Sequence, residues 1–184
     1  MADVMQTDGS ESVPTPESVI RLEKVGQGTA LADEIFGLVG RYPFFAEFSR
    51  EDISVLASYM EIYRAQAGEI IIREGDVGDY MLLIIEGEVD ILKKGYRDEQ
   101  QHMTSVGPGM TLGEMSMIDG EPRFATCVAN RMAVFAVLHR DCMAKIILDH
   151  PELGSKILVK LVSMLSLRLR QTSAKLLRYM EGAQ

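Results

Sequence analysis

Between Glu61 and Leu138 the chain is punctuated so closely by turn signals that no long helix fits there. Ala67-Gly68, Gly75-Asp76, Gly78-Asp79, Glu86-Gly87, Gly95, Gly107-Pro108-Gly109 and Asp119-Gly120 separate short apolar runs. Those runs (69–73, 81–85, 88–93, 126–129 and 132–138) are rich in Ile, Val, Leu and Met. Many short strands at such spacing predict a β-sandwich or barrel. Helical patterns lie on either side, so the fold class is α+β and mainly β. Upstream, Leu31, Ile35 and Leu38 share one face, Pro43-Phe44-Phe45 makes an apolar junction, and Ser49 caps a helix whose first turn carries Glu51 and Asp52. Downstream, Asp141 opens a helix over 142–148, and His150-Pro151 ends it.

The last helix is expected from about Pro151 to Met180. Leu158, Val162, Leu165, Leu169, Thr172, Leu176 and Tyr179 recur in alternating steps of four and three, a heptad seam with one polar member. Such a seam packs either on a second copy, as a parallel homodimer through Leu158, Val162, Leu165, Leu169 and Leu176, or back onto its own domain. Six basic residues and no acidic one lie between Ser155 and Met180. They read as a solvated face or as a surface for a partner.

Composition excludes several classes. Apolar residues make up 47%, enough for a buried core, and the longest unbroken apolar run is the seven residues Met132 to Leu138. A membrane span needs about 18. The N-terminus has no basic start and no apolar stretch, so it is not a secretory signal, and a cytoplasmic location is expected. Residues 1–26 are polar and acidic and are expected to be a disordered tail, followed by a domain over 27–150 and a helix over 151–184. Cys127 and Cys142 lack metal-ligand spacing, and His102, His139 and His150 do not complement them, so no metal is expected. No nucleophile elbow or Walker loop is present; the chain is not expected to be an enzyme. A net charge of −8 opposes general nucleic-acid binding.

One segment carries chemistry. Leu112-Gly113-Glu114-Met115-Ser116-Met117 is a Gly-Glu turn opening a short helix, and Pro122-Arg123-Phe124-Ala125-Thr126 follows. Gly113 lets a ligand approach the backbone, Glu114 can accept from a sugar hydroxyl, and Arg123 can fork onto phosphate oxygens. Together they suit a small phosphorylated nucleoside. Glu114 and Arg123 can equally form an ordinary surface ion pair.

These residues resemble the cyclic nucleotide-binding domain of the catabolite activator protein, protein kinase regulatory subunits and cyclic-nucleotide-gated channels. The resemblance runs from about Tyr42 to Met180. It rests on Ile71-Ile72-Arg73-Glu74-Gly75-Asp76-Val77-Gly78-Asp79, on Met81-Leu82-Leu83-Ile84 with Gly87-Glu88-Val89, and on the Gly113–Arg123 segment. It implies an eight-stranded antiparallel β-roll or jelly roll with flanking helices and a long C-terminal dimerisation helix. It also implies a ligand-binding set of Gly113, Glu114, Met115, Ser116, Arg123, Phe124 and Ala125. Thr172 and Ser173 resemble an adjacent Thr and Ser that face adenine in the catabolite activator protein; otherwise Thr172 only sets register. The implied function is a cyclic nucleotide receptor that signals through an unknown partner, with cAMP as ligand and cGMP less favoured.

Phe124 departs from the family, which has Ala, Ser or Thr there. If it pointed inward it would stack on the purine or close the pocket, leaving a non-sensing scaffold. Gln184 follows the helix by four residues with no recognition helix in view, so sequence-specific DNA binding is not expected of this chain alone. Pairing with a DNA-binding relative through the heptad is a third possibility.

Overall fold

The computed structural model describes residues 22–37, 45 and 47–182. Strand β1 (Glu23–Gln27) leads through a 3-10 turn (Gly28–Leu31) to α1 (Ala32–Gly37) and α2 (Arg50–Ser58). Six strands follow, β2 (Glu61–Ala65), β3 (Ile70–Ile72), β4 (Tyr80–Lys94), β5 (Gln100–Val106), β6 (Thr111–Leu112) and β7 (Thr126–His139), with α3 (Glu114–Asp119) between the last two. Helices α4 (Arg140–Asp149) and α5 (Pro151–Gly182) close the chain. All pairings are antiparallel, in the order β1-β2-β7-β4-β5, with β3 on β7 and β6 on β4.

The jelly-roll class is as expected, but among the described residues the sheet has seven strands where eight were expected. Glu86-Gly87 is not a turn. It is a bulge in one fifteen-residue strand, where the register of β4 against β7 shifts. Gly87 has φ +91, and a Cβ there would lie 2.3 Å from the carbonyl oxygen of Met132. Likewise 126–129 and 132–138 form one strand, β7. β5 carries no apolar alternation, because its residues are exposed except at its end.

The expected tail boundary is also corrected. Leu22 is buried and Glu23–Gln27 pairs with β2, so order begins before residue 27. Residues 1–21, Leu38, Pro43 and Phe44 lie outside the described residues. Ser49 caps α2 as expected: its hydroxyl accepts from the N–H of Asp52, and the Asp52 carboxylate accepts from the N–H of Ser49.

Two cores explain the continuous apolar runs. Along β4, Met81, Leu83 and Ile85 face the helices, whereas Tyr80, Leu82 and Ile84 face the interior of the roll. Along β7, Ala136 and Leu138 face outward to the helices, and Phe135 and Val137 inward. Both faces are covered, so alternation disappears from the sequence.

Helix α5 uses a stripe that the heptad does not include. Leu153, Ile157 and Leu161 are buried against the domain, at steps of four. Gly154 permits close contact with α4, since a Cβ there would lie 2.8 Å from the Cα of Ile147. The heptad seam turns outward: Leu158, Val162, Leu169, Leu176 and Tyr179 are exposed and Leu165 is half-buried.

Candidate functional site

Arg123 is held from both sides by backbone. Its N–H donates to the carbonyl of Asp76 (2.8 Å), and its own carbonyl accepts from the N–H of Gly75 (2.9 Å). Arg123 is only 3% exposed. Its Nη1 donates to the carbonyl of Gly113 at 2.8 Å, and its Cζ lies 4.1 Å from the centre of the Tyr80 ring. Two glycines make room for it. A Cβ on Gly78 would fall 2.5 Å from Nη2, and one on Gly113 2.4 Å from Nη1. Gly113 also needs its left-handed backbone (φ +76) to turn the chain from β6 into α3. The two glycine-bearing motifs therefore meet on one side chain.

Glu114 begins α3 and is 2% exposed. Its Oε1 accepts from Nη1 of Arg168, which reaches over from the middle of α5; Nη2 of Arg168 donates to the carbonyl of Thr111 at 2.8 Å. Burial pushes the Glu114 carboxyl above its usual range, against the pull of Arg168 and Arg123. Among the described residues, Oε2 of Glu114 and both Nε and Nη2 of Arg123 have no hydrogen-bond partner. Arg140 fixes the far end of α3, donating from Nε to Met117 O (2.6 Å) and from Nη2 to Ser116 O (2.7 Å).

Glu114, Arg123 and Arg168 line one cleft of about 460 Å³, counting its open mouth. Ile72, Ile91, Leu112 and Cys127 supply apolar wall, and Glu114, Arg123 and Arg168 the charge. Gly113, Met115, Ser116, Phe124 and Ala125 complete the lining, so seven of the expected site residues come together. Phe124 does not plug the cleft: its side chain stands at the rim, 54% exposed. Cys127 is a buried thiol pushed up to about 12 by desolvation, which keeps it protonated.

Thr172 and Ser173 do not join this set. Both are exposed on α5, about one turn beyond Arg168, and neither lines the cleft. Arg168, in sequence one of the basic residues of a solvated face or partner surface, instead lines the cleft. The signal available was its position one helical turn before Thr172, on the same face. Among the described residues, no helix is long and apolar enough to cross a membrane, and no group of three or more His, Cys, Asp or Glu gathers as a metal site.

A buried carboxylate and a buried guanidinium, each with unpartnered atoms, facing one cleft of an antiparallel roll, define a small-ligand-binding module. The chain belongs to the cyclic nucleotide-binding domain family, whose model matches residues 63–150. It is similar to the crystal structure of a cyclic nucleotide-binding domain from Methylobacillus flagellatus KT, with 40% identity over 85% of this chain and 88% of that one, and a TM-score of 0.77. It is 38% identical over 96 residues to a cAMP-dependent protein kinase regulatory subunit of Yarrowia lipolytica, matching 52% of this chain and 24% of that protein. A CRP-like cAMP-activated global transcriptional regulator of Mycobacterium tuberculosis is 27% identical over 144 residues, 78% of this chain and 61% of that protein. The chain thus spans about a quarter of the first curated relative and three fifths of the second.

Proposed function

We propose that this chain is a cAMP receptor that signals through a protein partner and catalyses nothing. The observation that carries this reading is the pair of half-satisfied buried charges. Glu114 Oε2 and Arg123 Nε and Nη2 are buried without partners among the described residues, and a buried polar group left unpaired costs about 1–3 kcal/mol. A nucleoside cyclic phosphate relieves both: a ribose hydroxyl donates to Oε2, and phosphate oxygens accept from the guanidinium. Gly113, Met115, Ser116 and Ala125 frame that ligand. The two curated relatives described above carry cAMP in their names, which favours cAMP over cGMP. An adenine amino group also suits the hydroxyls of Thr172 and Ser173 once α5 moves or a second copy presents them.

Signalling follows from the shared carboxylate. Ligand on Oε2 and Arg168 on Oε1 act on one group, so binding biases where α5 sits. That output requires the ligand to favour one arrangement of α5 over another. The exposed heptad seam supports a homodimer through Leu158, Val162, Leu165, Leu169 and Leu176, and a cytoplasmic location fits such a receptor. The basic residues Arg170, Lys175 and Arg178 offer a face to an acidic protein partner.

The test is calorimetric titration with cAMP and with cGMP, after unfolding, dialysis and refolding to strip any carried nucleotide. Tight cAMP binding near one per chain, weaker cGMP binding, and loss of affinity in Arg123→Ala are expected. No heat with either nucleotide, or unchanged affinity in Arg123→Ala, overturns the reading.

A further inference from the structure

Phe124 follows the phosphate-facing Arg123 directly, and its surroundings are built. Lys93, near the end of β4, donates from Nζ to the Phe124 carbonyl at 2.6 Å and to Oε1 of Glu74 at 2.7 Å. The same ammonium lies 4.3 Å from the centre of the Phe124 ring. Glu74 is itself fixed, accepting on Oε2 from the N–H of Lys94 (3.0 Å), while its own N–H donates to Oγ1 of Thr126 (3.0 Å). One cation therefore holds both the backbone and the ring of Phe124. Ile91, two residues before Lys93 on the same face of β4, lines the cleft, as does Phe124; Lys93 does not.

From this geometry we infer that Phe124, backed by Lys93, is the platform on which the base of the bound nucleotide stacks, and that this pair sets the affinity for base-bearing ligands. The inference rests on the cyclic-nucleotide reading above. A half-exposed aromatic ring at the mouth of a cleft has an apolar face to cover, and a purine face matches it in shape. A cation over one face draws π density toward itself, which leaves the opposite face poorer in electrons and more attractive to an electron-rich purine. The Glu74 anchor keeps Lys93 on the ring, so the platform is in place before the ligand arrives and little side-chain freedom is lost on binding.

The experiment titrates wild type, Phe124→Leu and Lys93→Met with cAMP and with ribose 3′,5′-cyclic phosphate, which has the same sugar and phosphate but no base. Phe124→Leu is expected to weaken cAMP about tenfold, the scale of one base–aromatic stack, and to leave the base-free ligand unchanged. Lys93→Met is expected to weaken cAMP a few-fold, again without effect on the base-free ligand. The chain has no tryptophan, so Phe124→Trp adds an independent reporter. Its emission is expected to be quenched by cAMP and not by the base-free compound. Phe124→Leu binding cAMP as wild type does, or losing both ligands equally, overturns the platform while the receptor reading stands. Wild type binding neither compound overturns both.

Discussion

Arg168 and Glu114, 54 positions apart, are joined in one ion pair where the long helix crosses the mouth of the roll. Glu114 is almost wholly buried, and about a third of the Arg168 side chain remains in solvent. Arg168 also donates to Thr111 O, so the helix is tied to the strand that leads into the site as well as to the site itself.

This pair sets a pH dependence. Burial holds the folded Glu114 carboxyl above its ordinary value of 4.5. Between 4.5 and the higher folded value, the native chain keeps a proton that the unfolded chain releases, so stability falls as pH rises across that window and levels above it. Urea unfolding at a series of pH values is expected to show this slope in wild type and its loss in Glu114→Gln. Arg168→Met removes the cation that pulls the carboxyl down, and is expected to extend the slope to higher pH and cost about 1–3 kcal/mol near neutrality.

Gly78 is where backbone and binding meet. A Cβ there collides with Nη2 and Nε of Arg123, at 2.5 and 2.6 Å, so the guanidinium must leave its place. Gly78→Ala is expected to keep its far-ultraviolet circular dichroism and to lose at least tenfold in cAMP affinity by calorimetry. Unchanged affinity would show that the position of Arg123 over Tyr80 does not matter for the ligand.

The capping box of α2 also holds the long helix. Asp52 accepts from Ser49 N–H and, at 3.0 Å, from Nζ of Lys156 on α5. Burial pushes its carboxyl up, but the hydrogen bonds from Ser49 and Lys156 outweigh that and hold it below its ordinary 3.8. Its contribution is therefore present above pH 3.8 and disappears as pH falls through the folded value. Ser49→Ala is expected to cost about 1 kcal/mol at neutral pH by chemical denaturation. Asp52→Asn is expected to flatten the acid limb of the stability curve.

The outward seam of α5 should govern assembly. Leu169 and Leu176 are 68% and 59% exposed in the single chain, one on each side of Thr172. Sedimentation equilibrium is expected to give twice the chain mass for wild type and a single chain mass for Leu169→Glu. Equal masses for the two proteins would remove the seam as a dimer contact.

Much of this molecule was legible because its causes are short-range. The glycine-marked turns, the Ser49 cap, the His150-Pro151 break and the heptad of α5 each depend on residues within a few positions of one another, and the Gly113–Arg123 segment carries its chemistry in eleven residues. β4 and β7 each look like two strands in the sequence because both their faces are buried, which erases the period of two, and because a bulge at Gly87 looks like a turn in one dimension. β5 left no pattern at all, since its exposed face and edge make no demand on apolar residues. Arg168 is, in one dimension, one of six basic residues that suit a solvated face or a partner surface. Only the folded chain decides that Arg168 meets Glu114, that Gly78 and Gly113 flank Arg123, and that Lys93 sits on Phe124. The Arg168–Glu114, Gly78–Arg123 and Lys93–Phe124 contacts join segments 54, 45 and 31 positions apart, and no local pattern of residues encodes them.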